Sequence, residues 1–102
     1  MARFDVFANP NPRARYAHLV DVQSDLVTTA TRWCIPLLPA VPGQKAIARA
    51  QSFVAANGMR LLLDTPNMLT VPAALLKQAV DRLDSRAQTE VEACIDFMLR
   101  GY

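Results

Sequence analysis

Asn57-Gly58 is the pair of residues that most limits how this chain can fold. It stands between two apolar runs, Gln51 to Ala56 and Met59 to Asp64. A two-residue turn that follows the twist of its flanking strands is type I′ and needs positive φ at both central residues. Asn and Gly enter that region at the least steric cost. The pair therefore predicts an antiparallel hairpin. A helix over Ala46 to Ala56 is the competing reading, because that stretch is rich in alanine.

Further strands are expected on either side. Arg3 to Phe7 alternates polar and apolar residues, and Asn9-Pro10-Asn11-Pro12 then ends it, since proline cannot donate to a ladder. Tyr16 to Val22 is rich in β-formers. Arg32 to Ile35 is a third strand with Pro36 as its stop, and Leu38 to Gln44, with Pro39, Pro42 and Gly43, reads as loop.

The C-terminal segment has a different period. Val91, Cys94, Ile95, Met98 and Leu99 fall on one stripe at helical spacing, with Glu90, Glu92 and Asp96 off it. Ser85 followed three residues later by Gln88 reads as a capping box, and Gly101 as the stop. Two acids toward the helix start and Arg100 at its end suit the helix dipole. Short strands followed by one terminal helix predict a mostly β chain, a small barrel of antiparallel strands with an appended helix.

Composition bounds the rest. At 102 residues, 52% of them apolar, the chain is expected to form one domain over residues 1–102 with a single modest core. Eleven basic and nine acidic residues, scattered, argue against a strong nucleic-acid binder or a polybasic membrane anchor. Cys34 and Cys94 lie in apolar runs without zinc-ligand spacing, and are expected as two buried free thiols. No signal-peptide pattern and no long apolar run is seen, so a soluble cytoplasmic protein is expected.

Catalytic chemistry finds little support. His18 is the single histidine and sits in a predicted strand among apolar neighbours. Ser24, Ser52 and Ser85 have no sequence link to it, and the dispersed glycines cannot build a phosphate loop. Glu92 and Asp96 share a helical face, which reads as a solvated face rather than an acid–base pair. No catalytic residue, metal site or cofactor is expected.

The run Arg15-Tyr16, then Val20-Asp21-Val22-Gln23-Ser24-Asp25 and the aliphatic Leu26, resembles the CcdB family of toxins. Phe4-Asp5-Val6-Phe7 is similar to that family's first strand, Cys34-Ile35-Pro36-Leu37 to its Val-Ile-Pro-Leu, and Thr70-Val71-Pro72 to its Ser-Val-Pro, all in the family's order. The terminal helix and its Gly-plus-one-residue ending match too, whereas Leu38 to Asn57 matches poorly. The resemblance implies an SH3-like barrel and a non-enzymatic, homodimeric toxin of a type II toxin–antitoxin pair. Such a toxin grips the A subunit of DNA gyrase and traps its cleavage complex with DNA. A CcdA-like antitoxin removes it, and the toxin–antitoxin complex represses its own operon, with the antitoxin making the DNA contacts. Plasmid maintenance is the usual setting.

The resemblance also assigns residues. Ser24, Asp25, Leu26 and Val27 fall in a gyrase-contact loop, and Asp96 at a gyrase-facing Asn position. Arg100, Gly101 and Tyr102 stand where the family ends in Trp-Gly-Ile. Only Gly101 is kept there. An interface Trp is worth about 2–4 kcal/mol, roughly 30- to 1,000-fold in affinity, so its loss matters. Three readings are open: Tyr102 supplies the aromatic, the target gyrase has a different surface, or only antitoxin binding survives. Ile95, Met98 and Leu99 are expected either to close the dimer or to cover the barrel. Two alternatives carry different chemistry: an mRNA endonuclease on the same fold, using Arg15, His18 and Arg32, and a non-toxic antitoxin-binding scaffold.

Overall fold

The computed structural model describes residues 2–11 and 13–101. Among these, seven strands form one antiparallel sheet: β1 (Asp5–Ala8), β2 (His18–Asp21), β3 (Thr31–Pro39), β4 (Ser52–Ala56), β5 (Met59–Leu63), β6 (Leu69–Pro72) and β7 (Ala79–Arg82). They run in the order β4-β5-β3-β2-β1-β7, with β6 paired to β3 beside β5. The sheet curls into a half-barrel, and one helix, α1 (Ser85–Arg100), fills its concave side.

The hairpin forms where the sequence places it. Asn57 and Gly58 take φ of 51° and 74°, and Ala56 pairs with Met59. The helical alternative over Ala46 to Ala56 is excluded, since β4 occupies Ser52–Ala56.

Both faces of the sheet are covered. Val20, Ile35, Leu37 and Leu63 pack on the concave side against Ala87, Val91 and Cys94 of α1. On the convex side Phe7, Leu19 and Cys34 are covered by Val71 and Leu76. Each fully buried Leu, Ile or Phe contributes about 1.5–3 kcal/mol by leaving water. Burial on two faces explains why Cys34-Ile35-Pro36-Leu37 is an unbroken apolar run rather than an alternating one.

Several sequence expectations are corrected. Pro36 does not stop β3, which continues through it to Pro39. Val22 N donates to Trp33 O at 2.9 Å, so alternate residues Trp33, Ile35 and Leu37 bond toward β2 and Pro36 faces the other edge. There its carbonyl accepts from Asp64 N at 3.0 Å, and its missing N–H falls between the end of β6 pairing at Cys34 and the start of β5 pairing at Leu37. The helix cap is Asp84, not Ser85: Asp84 Oδ1 accepts from Ala87 N at 2.8 Å. Gln88 Nε2 accordingly donates to Leu83 O rather than closing a box with Ser85. The first turn of α1 carries no acid, and the dipole is matched by Arg100 at its other end. Gly101 closes the helix as expected, with φ of 80° and its N–H on Phe97 O at 2.8 Å. Both cysteines are buried free thiols.

β6 and β7 carried no strand signal of their own. β7 is exposed at all four residues and is held by pairing with β1.

Candidate functional site

Asp21, buried completely, is the anchor of the site. It ends β2, opposite Cys34 of β3, and Arg32 two residues before Cys34 lies on the same face. Arg32 Nε donates to Asp21 Oδ2 at 2.7 Å. Its Nη2 reaches Gln23 O at 3.2 Å and Asp25 Oδ1 at 3.3 Å. The hydrogen bond it donates to Asp21, more than any other effect, holds the Arg32 guanidinium protonated beyond its ordinary range. Asp21 Oδ1 also accepts from Gln23 N at 3.0 Å. Gln23 carries the order outward: its Nε2 donates to Val27 O at 2.9 Å and to Thr29 Oγ1 at 3.1 Å, while its Oε1 accepts from Trp33 N at 3.1 Å.

These bonds fix a tight turn over Ser24-Asp25-Leu26-Val27. Val27 N donates to Ser24 O at 3.0 Å, and Ser24 Oγ accepts from Leu26 N at 3.2 Å. The two aliphatic side chains of the turn point out. Leu26 is 96% exposed and Val27 48%. A lone exposed leucine is ordinary; this one stands at the tip of a braced turn.

Arg3 ties this turn to the helix. Phe4, in the left-handed region at φ 74°, bends the chain so that Arg3 N donates to Asp25 Oδ1 (2.9 Å) and Arg3 Nε to Val22 O (3.0 Å). Such a φ on a bulky residue costs of order 1–3 kcal/mol. Arg3 also approaches Glu92 of α1 at 3.5 Å.

Between turn and helix lies a groove of about 510 Å³ lined by Val22, Val27, Trp33, Met68, Ile95 and Leu99 among others. Ser24 also lines it. The fold thus brings residues expected for gyrase contact (Ser24, Val27) against two expected at the dimer interface (Ile95, Leu99). Leu99 is 73% exposed and Met98 42%. Asp25 braces the turn from below. Arg100 and Gly101 are exposed at the helix end. Asp96 is not at this groove. It lines a separate cleft with Arg49, Cys94 and Glu90 on the other flank of α1. Tyr102 lies outside the described residues.

Trp33 and Met68 belong to the groove although the sequence reading gave them no role. Trp33 shares the concave face with Ile35 and Leu37 and would be buried by alternation, yet it is 52% exposed. Its exposure depends on where α1 ends, which β3 alone cannot reveal.

Arg15, His18 and Arg32 do not converge. His18 pairs with Leu37, five residues along β3 from Arg32, a separation of roughly 16 Å at strand rise. His18 is buried with Nε2 3.2 Å from Asn57 Nδ2, Arg32 is committed to Asp21, and Arg15 is exposed.

A family model described as CcdB protein matches residues 3–101. The chain belongs to the CcdB family. Membership of the CcdB family supports the role of a toxin in a toxin–antitoxin pair, in a family known for poisoning gyrase rather than for catalysis. No curated protein matches the chain. The motif that carried the resemblance, Val20 to Leu26, is the segment that builds the braced turn of this CcdB-type chain. Among the described residues no helix is long and apolar enough to cross a membrane.

Proposed function

We propose that this CcdB-family chain is a cytoplasmic homodimer that binds the A subunit of DNA gyrase and traps its complex with cleaved DNA. The turn Ser24–Val27 and the chain end at Arg100, Gly101 and Tyr102 supply the contacts, with Asp96 adding to them from the other flank of α1, one turn before Arg100. Ile95, Met98 and Leu99 meet the second copy. A CcdA-like antitoxin neutralises the toxin, and the pair represses its own operon through the antitoxin's DNA contacts.

One observation carries the reading: Leu26 is almost fully exposed on a turn whose Asp25 and Val27 are held by Arg32 and Gln23. Holding an apolar side chain in water is unfavourable, and a rigid scaffold beneath it removes the ordering cost of binding. That combination suits a contact surface.

A supercoiling assay with purified gyrase tests it. Added protein is expected to inhibit supercoiling and to leave linear, protein-linked DNA. Folded dimer that does neither, at micromolar concentration, overturns the gyrase reading.

A further inference from the structure

Charge is scattered along the chain, and the fold gathers part of it at one pole of the sheet. β1 and β2 are joined there by the loop from Asn9 to Ala17, which carries Arg13 and Arg15. β7 begins at the same pole, because Ala79 pairs with Phe7 near the end of β1, so Lys77 stands beside that loop. The core beneath ties the two segments together. Leu76 is buried in the convex cluster with Phe7 and Leu19, and Tyr16 packs against it. Arg15 and Lys77 each adjoin one of these anchors, and Arg13, Arg15 and Lys77 are all exposed.

No acid neutralises this pole. Neither Val6 to Val20 nor Thr65 to Val80 contains Asp or Glu. Arg13, Arg15 and Lys77 form no ion pair among the described residues. The acids that border these segments are engaged elsewhere. Asp5 pairs with Arg82, and Asp21 is buried against Arg32. Asp64 is buried and accepts from Gln51 and Asn67. Asp81 lies opposite Val6 on the concave side and accepts from the N–H groups of Asn57 and Arg82. The remaining acids are Asp25, at the other end of β2, and those of α1 and its cap.

The loop is held in shape before any partner arrives. Asn9 Oδ1 accepts from Asn11 N at 2.8 Å, and Asn11 Oδ1 from Arg13 N at 3.1 Å. Asn9 Nδ2 donates to Tyr16 O at 3.0 Å, closing the loop across its base. A backbone fixed in this way lowers the ordering cost of a contact.

We propose that this pole, through Arg13, Arg15 and Lys77, is a contact surface for the phosphate backbone of duplex DNA. From Asn9 to Ala17 no large apolar side chain is exposed among the described residues. A protein partner would need an aromatic or aliphatic anchor there, whereas a phosphate interface is polar and basic. Arginine forks and asparagine amides both suit phosphate oxygens. Phosphate contacts carry no sequence information, so they add to the DNA contacts assigned to the antitoxin and do not replace them. The proposal does not depend on gyrase binding.

Fluorescence anisotropy of a labelled duplex of about 25 base pairs, titrated with the full chain between about 10 and 100 mM salt, tests it. Saturable binding is expected, equal for two unrelated sequences. The logarithm of affinity is expected to fall against the logarithm of salt with a slope of about −2.7 per engaged protomer, about 0.9 for each phosphate neutralised. Arg13→Gln, Arg15→Gln and Lys77→Gln are each expected to remove about one unit of that slope per engaged protomer. Each is also expected to weaken binding about tenfold at about 20 mM salt, with an unchanged melting temperature. Arg86→Gln removes the same charge from the opposite end of the sheet and is expected to leave the slope as it is. Equal losses in Arg86→Gln would mean that net charge alone is felt, and would overturn the proposal. So would no binding at about 10 mM salt, or tighter binding of the same residues to phosphatidylglycerol vesicles than to DNA.

Discussion

Arg32 Nε meets Asp21 Oδ2 at 2.7 Å, with the aspartate wholly buried and the arginine 7% exposed, eleven positions apart in the chain. One ion pair thereby joins the end of β2, the start of β3 and, through Gln23 and Asp25, the turn that carries Leu26. Removing one member of a buried pair strands the other charge at about 3–5 kcal/mol, whereas replacing both by apolar groups is often nearly neutral. Arg32→Met is therefore expected to lose about 3–5 kcal/mol in urea denaturation, a large share of the 5–15 kcal/mol typical of a domain. Asp21→Leu combined with Arg32→Met is expected to lose much less. Equal losses in the single and double variants would show that packing, not charge, holds the site.

Leu26→Asp separates contact from stability. At 96% exposure the side chain has almost nothing to lose on folding. The thermal midpoint is expected to stay within about 2 °C, since such surface changes remain within about 0.5 kcal/mol. Inhibition of gyrase supercoiling is expected to fall at least about tenfold, because the charge must be desolvated at the interface. Arg100→Trp is expected to strengthen inhibition and Tyr102→Ala to abolish gyrase binding, read in the supercoiling and pull-down assays. A variant Leu26→Asp as potent as the parent removes the turn from the contact surface.

The cap of α1 is open to a direct test. Asp84→Ala removes the bond from Ala87 N and is expected to cost about 1 kcal/mol. Ser85→Ala is expected to cost far less, because Ser85 is exposed within the first turn. Equal destabilisation of the two in thermal melts would restore Ser85 to the capping role.

Burial pushes the Cys34 thiol up to about 12, aided by the Asp21 charge and opposed by Arg32. Burial raises Cys94 as well. The reactive species is the thiolate. Native protein at pH 8 is expected to show less than one-tenth of the labelling rate of the urea-unfolded chain toward a thiol-specific dye. Rapid labelling of native protein would mean that the core opens locally.

Asp81 is held below the ordinary aspartate range by the N–H groups of Asn57 first and Arg82 second. A carboxylate depressed on folding contributes stability above its unfolded pKa of about 3.9, and loses it as pH falls through the lower folded value. The melting difference between the parent and Asp81→Asn is expected to be full at pH 6 and to shrink below about pH 4. A difference unchanged down to pH 2 would contradict this linkage. Because Asp81 is exposed, the effect is small.

The legible parts of the molecule were those governed by neighbours in the chain. Asn57-Gly58 needs only its own backbone freedom to turn, and the Val91-Cys94-Ile95 stripe needs only helical period to show. Ser85 reads as the cap in the sequence because both it and Asp84 can cap, and only the backbone conformation of the chain entering the helix distinguishes them. Pro36 reads as a stop in the sequence because whether a strand tolerates proline depends on which edge its missing N–H faces, a property of sheet order.

The site divides the same way. The sequence by itself determined a mostly β chain with one terminal amphipathic helix, and carried the Val20 to Leu26 motif that marks the family. Only tertiary structure decided that Asp21 and Arg32 form a buried pair, that Leu26 is thrust outward, and that Val27, Trp33 and Leu99 line one groove while Asp96 lines another. Turns and helical stripes are set by interactions within a few residues. Burial and exposure are set by what the remainder of the chain brings alongside, and that depends on how the sheet curls and where the helix ends.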